Sequence, residues 1–102
     1  MQEVTIKGMT NGALHISLSG EIEMGKAEEF YRVVAEAYKA SPADICFDCE
    51  QLNFIDSTTL GTFVKILKAL KTNGHSMRLT GLQAKIKKLF VICSLDSIME
   101  IA

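Results

Sequence analysis

The sequence has no tryptophan, a single proline and no long hydrophobic run among its 102 residues. Crossing a bilayer as a helix takes about 20 consecutive apolar residues, so membrane insertion is not expected. The N-terminus has no basic segment followed by an apolar one, so no signal peptide is visible and a cytoplasmic location is predicted. With 48 % hydrophobic and 23 % charged residues, the composition is that of an ordinary globular protein, and residues 1–102 are expected to form a single domain.

Cysteine and histidine are also scarce, which argues against a disulfide framework and against a metal site. Cys46, Cys49 and Cys93 are an odd number without framework spacing, so reduced thiols are expected. Cys46 and Cys49 form one CxxC pair, but the only histidines are His15 and His75, so no zinc site is predicted. The pair begins inside a strand-like run and not at a helix start, unlike a thioredoxin-type site. We therefore predict that the cysteines act as small buried hydrophobic residues.

The net charge of −1 is divided unevenly along the chain. Residues 1–64 hold four Lys and Arg against ten Asp and Glu, a net of −6, whereas residues 65–102 hold seven against two, a net of +5. The basic half lacks a dense arginine cluster and interleaved aromatic residues, so direct nucleic-acid binding is not predicted. A surface polarised in this way suits a protein partner.

The hydrophobic periodicity predicts an α/β domain. Asn11-Gly12 between two alternating runs is a strong hairpin signal, and Gly20 is expected to end the second strand. Ser41-Pro42 ends the first helix. A hairpin followed by helix–strand repeats predicts a mixed sheet of four or five strands with helices packed on it, its later strands parallel. The predicted strands are 2–7, 13–19, 44–48, 76–80 and 98–101, and the predicted helices are 25–40, 58–73 and 83–93.

Residues 53–70 are the most informative segment of the chain. A strand-like run ends at Ile55, and Asp56, Ser57 and Thr58 then open a strongly amphipathic helix. A helix start exposes unpaired backbone N–H groups and the positive end of the helix dipole. A phosphate there would be welcome electrostatically, yet it would add about −1.5 to −2 charges beside Asp56. The segment therefore suits a phosphorylation switch, or it is an ordinary helix cap.

These residues carry a resemblance to a known family. The run from Asp56 to Gly61, supported by Leu18 to Ile22 and by Lys88 to Phe90, resembles the bacterial anti-sigma factor antagonists, the single-domain members of the STAS family. The resemblance implies a domain without catalysis or cofactor that captures an anti-sigma factor, itself a serine kinase with an ATP site. It implies that phosphorylation of Ser57 breaks the capture and that a phosphatase restores it.

The resemblance also assigns the site. Ser57 would be the phosphoacceptor, with Thr58 and Thr59 as competing acceptors, and a loop around Glu21 to Gly25 would face the kinase. Family members usually have Gly in place of Thr59 and Asp in place of Glu23, and they often continue into a last helix. The implied partner-binding residues are Glu21, Glu23, Met24, Gly25, Asp56, Ser57, Thr58, Gly61, Thr62 and Lys65.

Two rival functions are considered. Some STAS-type domains are cytoplasmic accessory subunits of lipid-transporting ABC systems, and such a subunit would use much the same helical face. A serine hydrolase would need a nucleophile and a base, but Ser57 has no G-x-S-x-G context and His15 lies in the middle of an alternating run. The sequence therefore does not predict an enzyme.

Overall fold

Five strands form one sheet in which spatial neighbours follow each other along the chain. The computed structural model describes residues 1–102, and the sheet order is β1-β2-β3-β4-β5. β1 is antiparallel to β2, while β2 to β5 run parallel and are joined by helical crossovers, which confirms the predicted fold class. The elements are β1 Val4–Thr10, β2 Ala13–Ile22, α1 Met24–Ala40, β3 Asp44–Ile55, α2 Ser57–Thr72, β4 Met77–Thr80, α3 Ala84–Ile92, a short 3₁₀ helix Leu95–Ser97, and β5 Glu100–Ile101.

The hairpin that opens the chain is the one its turn residues predict. Asn11 and Gly12 both have positive φ, 52° and 80°, as the two-residue turn of a tight hairpin requires. Thr10 pairs with Ala13 beside the turn, and Val4 pairs with Leu18 at the far end. The turn therefore sets the register that directs the apolar side chains of β2 into the core.

A cluster of four phenylalanine rings holds the helices against one face of the sheet. Phe63 of α2 lies edge-to-face with Phe30 of α1, Phe47 of β3 and Phe90 of α3, with ring centroids 5.2, 5.5 and 5.4 Å away. All four rings are fully buried. Because Phe63 of α2 contacts rings of α1, of α3 and of the strand beneath them, the three helices lie on the same face of the sheet. The opposite face, which includes half-buried His15, has no helix on it.

β2 and β3 are both longer than predicted. β2 does not end at Gly20 but continues to Ile22, because Gly20 adopts φ +68° and the pairing with β3 shifts there. β3 does not end at Asp48 but continues to Ile55, so residues 49–55, which lie outside the predicted strand, also belong to it. Its buried positions change from a spacing of two to a spacing of three after Cys49, where the pairing is irregular. Strict alternation, the signal used for prediction, is lost at such bulges.

The cysteines differ in their surroundings. Cys49 is fully buried, and burial raises the pKa of its thiol to about 12, which fits the predicted hydrophobic role. Cys46 is half-buried, and burial also raises its pKa. Cys93 is exposed at the end of α3, so the prediction of a buried residue is wrong there. None of the three forms a disulfide.

Replacing Phe63 with alanine should reduce the free energy of unfolding by about 3–5 kcal/mol, because the ring is buried at the centre of the aromatic cluster. Urea denaturation followed by circular dichroism measures this loss. Phe54→Ala is the matched control, since this ring is 44 % exposed and its removal should cost about 1 kcal/mol or less. Equal losses in the two variants would contradict the central position of Phe63.

Candidate functional site

Two helices begin side by side at the carboxyl edge of the sheet. Ile22 and Ile55, the last residues of β2 and β3, are paired in register. A single residue follows each strand, Glu23 in one case and Asp56 in the other, before α1 and α2 start. The carboxyl edge of parallel strands is where α/β folds usually place their binding sites. Two sets of unpaired helix N–H groups therefore meet at one edge.

Asp56 caps both helices with one carboxylate. Its Oδ1 accepts a hydrogen bond from the backbone N–H of Thr59 at 2.9 Å, which is the usual cap of its own helix. Its Oδ2 accepts from the backbone N–H of Met24, the first residue of α1, at 2.8 Å. Glu23 precedes α1 but makes no capping hydrogen bond with its side chain. Asp56 therefore takes over the cap of the neighbouring helix and fixes the two helix starts relative to each other.

Thr59 connects the same hydrogen-bond network to the end of β2. Its side chain is fully buried, and its hydroxyl donates to the carbonyl of Ile22 at 2.6 Å. The first turn of α2 is thus tied to the last residue of β2 as well as to Asp56. The prediction of Thr59 as a competing phosphoacceptor is wrong, because its hydroxyl points into the protein and is already used.

Ser57 and Thr58 lie on the outside of this network. They are the first two residues of α2, and both are exposed. Ser57 therefore follows Asp56 directly in the chain, at a helix start that solvent reaches.

The other predicted residues of α2 differ in how much surface they present. Gly61 and Lys65 are exposed, and the Lys65 ammonium lies 4.2 Å from the ring centre of Tyr31, which links α2 to α1. Thr62 is buried, and its hydroxyl donates to the carbonyl of Thr58 at 3.1 Å. Thr62 was predicted to contact a partner, but it presents almost no surface for contact.

The predicted loop around Glu21 to Gly25 is not a loop. Glu21 belongs to β2, Met24 and Gly25 form the start of α1, and only Glu23 connects them. The residues are exposed, and Met24 is 70 % exposed. The surface that they form is therefore rigid at its backbone, since a strand end and a helix start supply it.

Acidic groups dominate the electrostatics of this edge. Hydrogen bonds from the backbone of Thr59 and then of Met24 hold the pKa of Asp56 below its ordinary value, so the carboxylate is ionised at neutral pH. Glu21 and Glu23, which shortly precede Met24 in the chain, are also exposed. The closest basic group in sequence, Lys26, is engaged with the carboxylate of Glu3 at 2.8 Å.

Neither histidine of the chain lies at this edge. His15 pairs with Cys46 near the start of β3, nine positions along the strand from Ile55, a separation of at most about 30 Å. His75 precedes β4 at the same far end, where its ring nitrogen is hydrogen-bonded to the Tyr38 hydroxyl. No cluster of three or more His, Cys, Asp or Glu side chains could hold a metal ion. No helix is long and apolar enough to cross a membrane.

Sequence reasoning missed two features of the edge. The double cap by Asp56 joins residues 32 positions apart, and only a long-range contact reveals it. Phe54 lies beyond the predicted strand 44–48, but it belongs to β3 and is 44 % exposed beside buried Ile55. An aromatic residue next to the last buried position of a strand is a signal that could have drawn attention to it.

Comparison with known proteins agrees with this fold. The sequence profile of the STAS domain matches residues 6–102, so the chain belongs to the STAS domain family. Its relatives include the anti-sigma-B factor antagonist of Staphylococcus aureus, which is 30 % identical over 86 residues, covering 84 % of this chain and 80 % of that protein.

Solved structures share the fold at lower identity. A candidate anti-sigma factor antagonist from Thermotoga maritima superimposes with a TM-score of 0.84 at 22 % identity, covering 96 % of this chain and 82 % of the other. The anti-sigma factor antagonist SpoIIAA in its unphosphorylated form gives 0.76 at 18 % identity, with 97 % and 86 % covered. The phosphorylated form of SpoIIAA from Bacillus gives 0.75 at 21 % identity, with 97 % and 90 % covered.

Asp56→Asn should destabilise the protein at neutral pH, because an amide has one acceptor oxygen where the carboxylate offers two to Thr59 and Met24. The folded-state pKa of Asp56 is lowered, so its contribution is present above the unfolded pKa of about 3.9 and is lost as pH falls through the folded value.

The difference in unfolding free energy between wild type and Asp56→Asn should therefore shrink when urea denaturation is repeated from about pH 6 down to about pH 2. Asp96→Asn, at an exposed aspartate of the 3₁₀ helix, is the control and should show no such change. A pH-independent difference would contradict the double cap.

Thr59→Val should reduce the unfolding free energy by about 1–3 kcal/mol, because valine has the same shape but leaves the buried carbonyl of Ile22 without the hydroxyl. Thr58→Val makes the same chemical change at an exposed neighbour and should alter stability by about 0.5 kcal/mol at most. Thermal or urea denaturation compares them, and equal effects would show that the buried hydroxyl is unimportant.

Proposed function

We propose that this protein is an anti-sigma factor antagonist whose capture of its partner is switched by phosphorylation of Ser57. Unphosphorylated, it binds an anti-sigma factor that is also a serine kinase, and so releases a sigma factor and regulates transcription indirectly. The kinase phosphorylates Ser57 and ends the capture, and a phosphatase acting on phospho-Ser57 restores it. The protein acts in the cytoplasm, without cofactor or catalysis of its own.

The observation that carries the proposal is the placement of Ser57. Ser57 is exposed as the first residue of α2, on an edge where α1 also begins and where neither histidine lies. A kinase can reach a side chain placed there, and no histidine is available to activate it for hydrolysis. The family membership and the name of the Staphylococcus aureus relative support the same function.

The surroundings of Ser57 favour an effect on binding over an effect on folding. A phosphate at the start of α2 faces unpaired N–H groups and the positive end of the helix dipole, so the helix tolerates it. The same phosphate adds about −1.5 to −2 charges beside Asp56, which cannot turn away because both its oxygens are hydrogen-bonded. A partner packed on this edge would have to accommodate both charges. SpoIIAA, which has the same fold, has been solved with and without phosphate.

The network also supports Ser57 over its neighbours as the acceptor. Thr59 is buried with its hydroxyl bonded to Ile22, so a kinase cannot reach it. Thr58 is exposed and stays as the alternative acceptor.

A capture experiment tests the proposal. Wild type, Ser57→Ala and Ser57→Asp are used as baits in lysate of the source organism, and bound proteins are identified by mass spectrometry. Wild type and Ser57→Ala should recover a protein kinase of the anti-sigma factor type, and Ser57→Asp should bind it at least roughly a hundredfold more weakly, equivalent to about 2.7 kcal/mol. With ATP, the purified kinase should phosphorylate Ser57 in wild type and leave Ser57→Ala unmodified.

Ser97→Asp is the matched control, since it places the same charge on an exposed serine of the 3₁₀ helix, away from the edge, and should bind like wild type. Recovery of the same membrane ATPase by all baits would identify an accessory subunit of a transport system and end the proposal. Phosphate found on Thr58 alone would move the switch by one residue.

A further inference from the structure

Two large apolar side chains are exposed on residues that adjoin Asp56, the residue before Ser57. Met24 is 70 % exposed at the start of α1, and its backbone N–H is bonded to Asp56. Phe54 is 44 % exposed two residues before Asp56, a separation of about 7 Å along a strand. The other large exposed apolar residues belong to β1 or lie between Leu89 and Ile98, outside this edge.

The exposure of Phe54 follows from the end of β3. Neighbouring strand residues point to opposite faces, and Ile55 takes the buried direction. Phe54 therefore points to the face of the sheet that no helix covers, opposite Glu21 of β2. Met24 begins a helix on the covered face. The two apolar residues thus approach the edge from its two faces, and both adjoin Asp56, Met24 through its backbone hydrogen bond and Phe54 two positions before it in the chain.

We propose that Phe54 and Met24 are the apolar anchors of the kinase-binding surface, and that they enclose Ser57 in the water-excluded centre of the complex. The inference rests on the proposed function and identifies the surface that the partner must present, namely an apolar socket over Ser57. Exposed Glu21 and Glu23 form an acidic rim around this centre, which basic residues at the border of the socket would complement.

This arrangement determines how a phosphate would block binding. A dianion at Ser57 would lose its water when the socket closes over the two anchors, and burial of an unpaired charge is costly. Salt screens Coulomb repulsion between exposed charges but has little effect on the desolvation of a buried one. The penalty of a charge at Ser57 is therefore expected to be insensitive to salt.

The test uses the kinase recovered by wild type in the capture experiment, expressed and purified, with affinities measured by calorimetry. Phe54→Ala and Met24→Ala should each weaken binding by roughly ten- to a hundredfold, as hot-spot residues do. Ile6→Ala removes a similarly exposed apolar side chain, 41 % exposed on β1, and should change affinity by less than about threefold. Circular dichroism checks that each variant is folded. Met24→Ala changes the highly exposed first residue of a helix, so it still tests the proposal if Phe54→Ala fails to fold.

A second measurement compares Ser57→Asp with Ser57→Asn, which have nearly the same shape and differ in charge. The ratio of their affinities should change by less than about threefold between about 0.1 M and 1 M salt, over which the screening length falls from about 10 Å to about 3 Å. A fall of more than tenfold would assign the block to Coulomb repulsion and overturn the enclosure of Ser57.

The outcomes separate this inference from the proposed function. If wild type binds the kinase and Ser57→Asp does not, but both anchor variants bind like Ile6→Ala, the anchors are wrong and the switch stands. If wild type binds no such kinase, the proposed function fails and the inference fails with it.

Discussion

One carboxylate joins the two helix starts at the carboxyl edge of the sheet. Asp56 accepts from the first turn of its own helix and from the first residue of the preceding helix, and the buried hydroxyl of Thr59 adds a third tie to the end of β2. These bonds connect backbone groups that each helix start would otherwise leave unpaired. The position of Ser57 relative to Met24 therefore does not depend on a flexible loop. It depends on a strand end and two helix starts that share one acceptor.

Packing in the hydrophobic core also helps to position α2 at this edge. Phe63 lies one turn along α2 from Thr59 and packs against rings from both other helices and from β3. The edge network fixes where α2 begins, and the aromatic cluster fixes the face on which it lies. Together they leave Ser57 and Thr58 exposed while their neighbours Thr59 and Leu60 are buried. Burial thus divides three adjacent hydroxyl-bearing residues into two that are exposed to solvent and one that is not.

Local signals in the sequence predicted most of the fold. Asn11-Gly12 determined the hairpin, Ser41-Pro42 the end of α1, and Asp56 the start of α2, because each acts locally. The first two act through backbone conformation, and Asp56 acts through a side-chain cap three residues along the chain. The extensions of β2 and β3 escaped prediction because bulges displaced the alternating pattern after Gly20 and Cys49. The residues of the candidate site fall into the same two groups, those visible from local sequence and those that depend on long-range contacts. Asp56 and Ser57 were visible as a motif, whereas the bond to Met24, the burial of Thr59 and Thr62 and the exposure of Phe54 depend on contacts between distant segments.

The ties at the edge reach Ile22 and Met24 through main-chain atoms, a carbonyl in one case and an N–H group in the other. Every residue type except proline supplies both groups, so neither hydrogen bond depends on which side chain stands at position 22 or 24. Mutation can therefore alter the exposed side chains of Glu21, Glu23 and Met24 over evolutionary time while the edge keeps its shape. Duplicated copies of such a gene could diverge toward different partners through these few positions, with the same serine still presented in the same place.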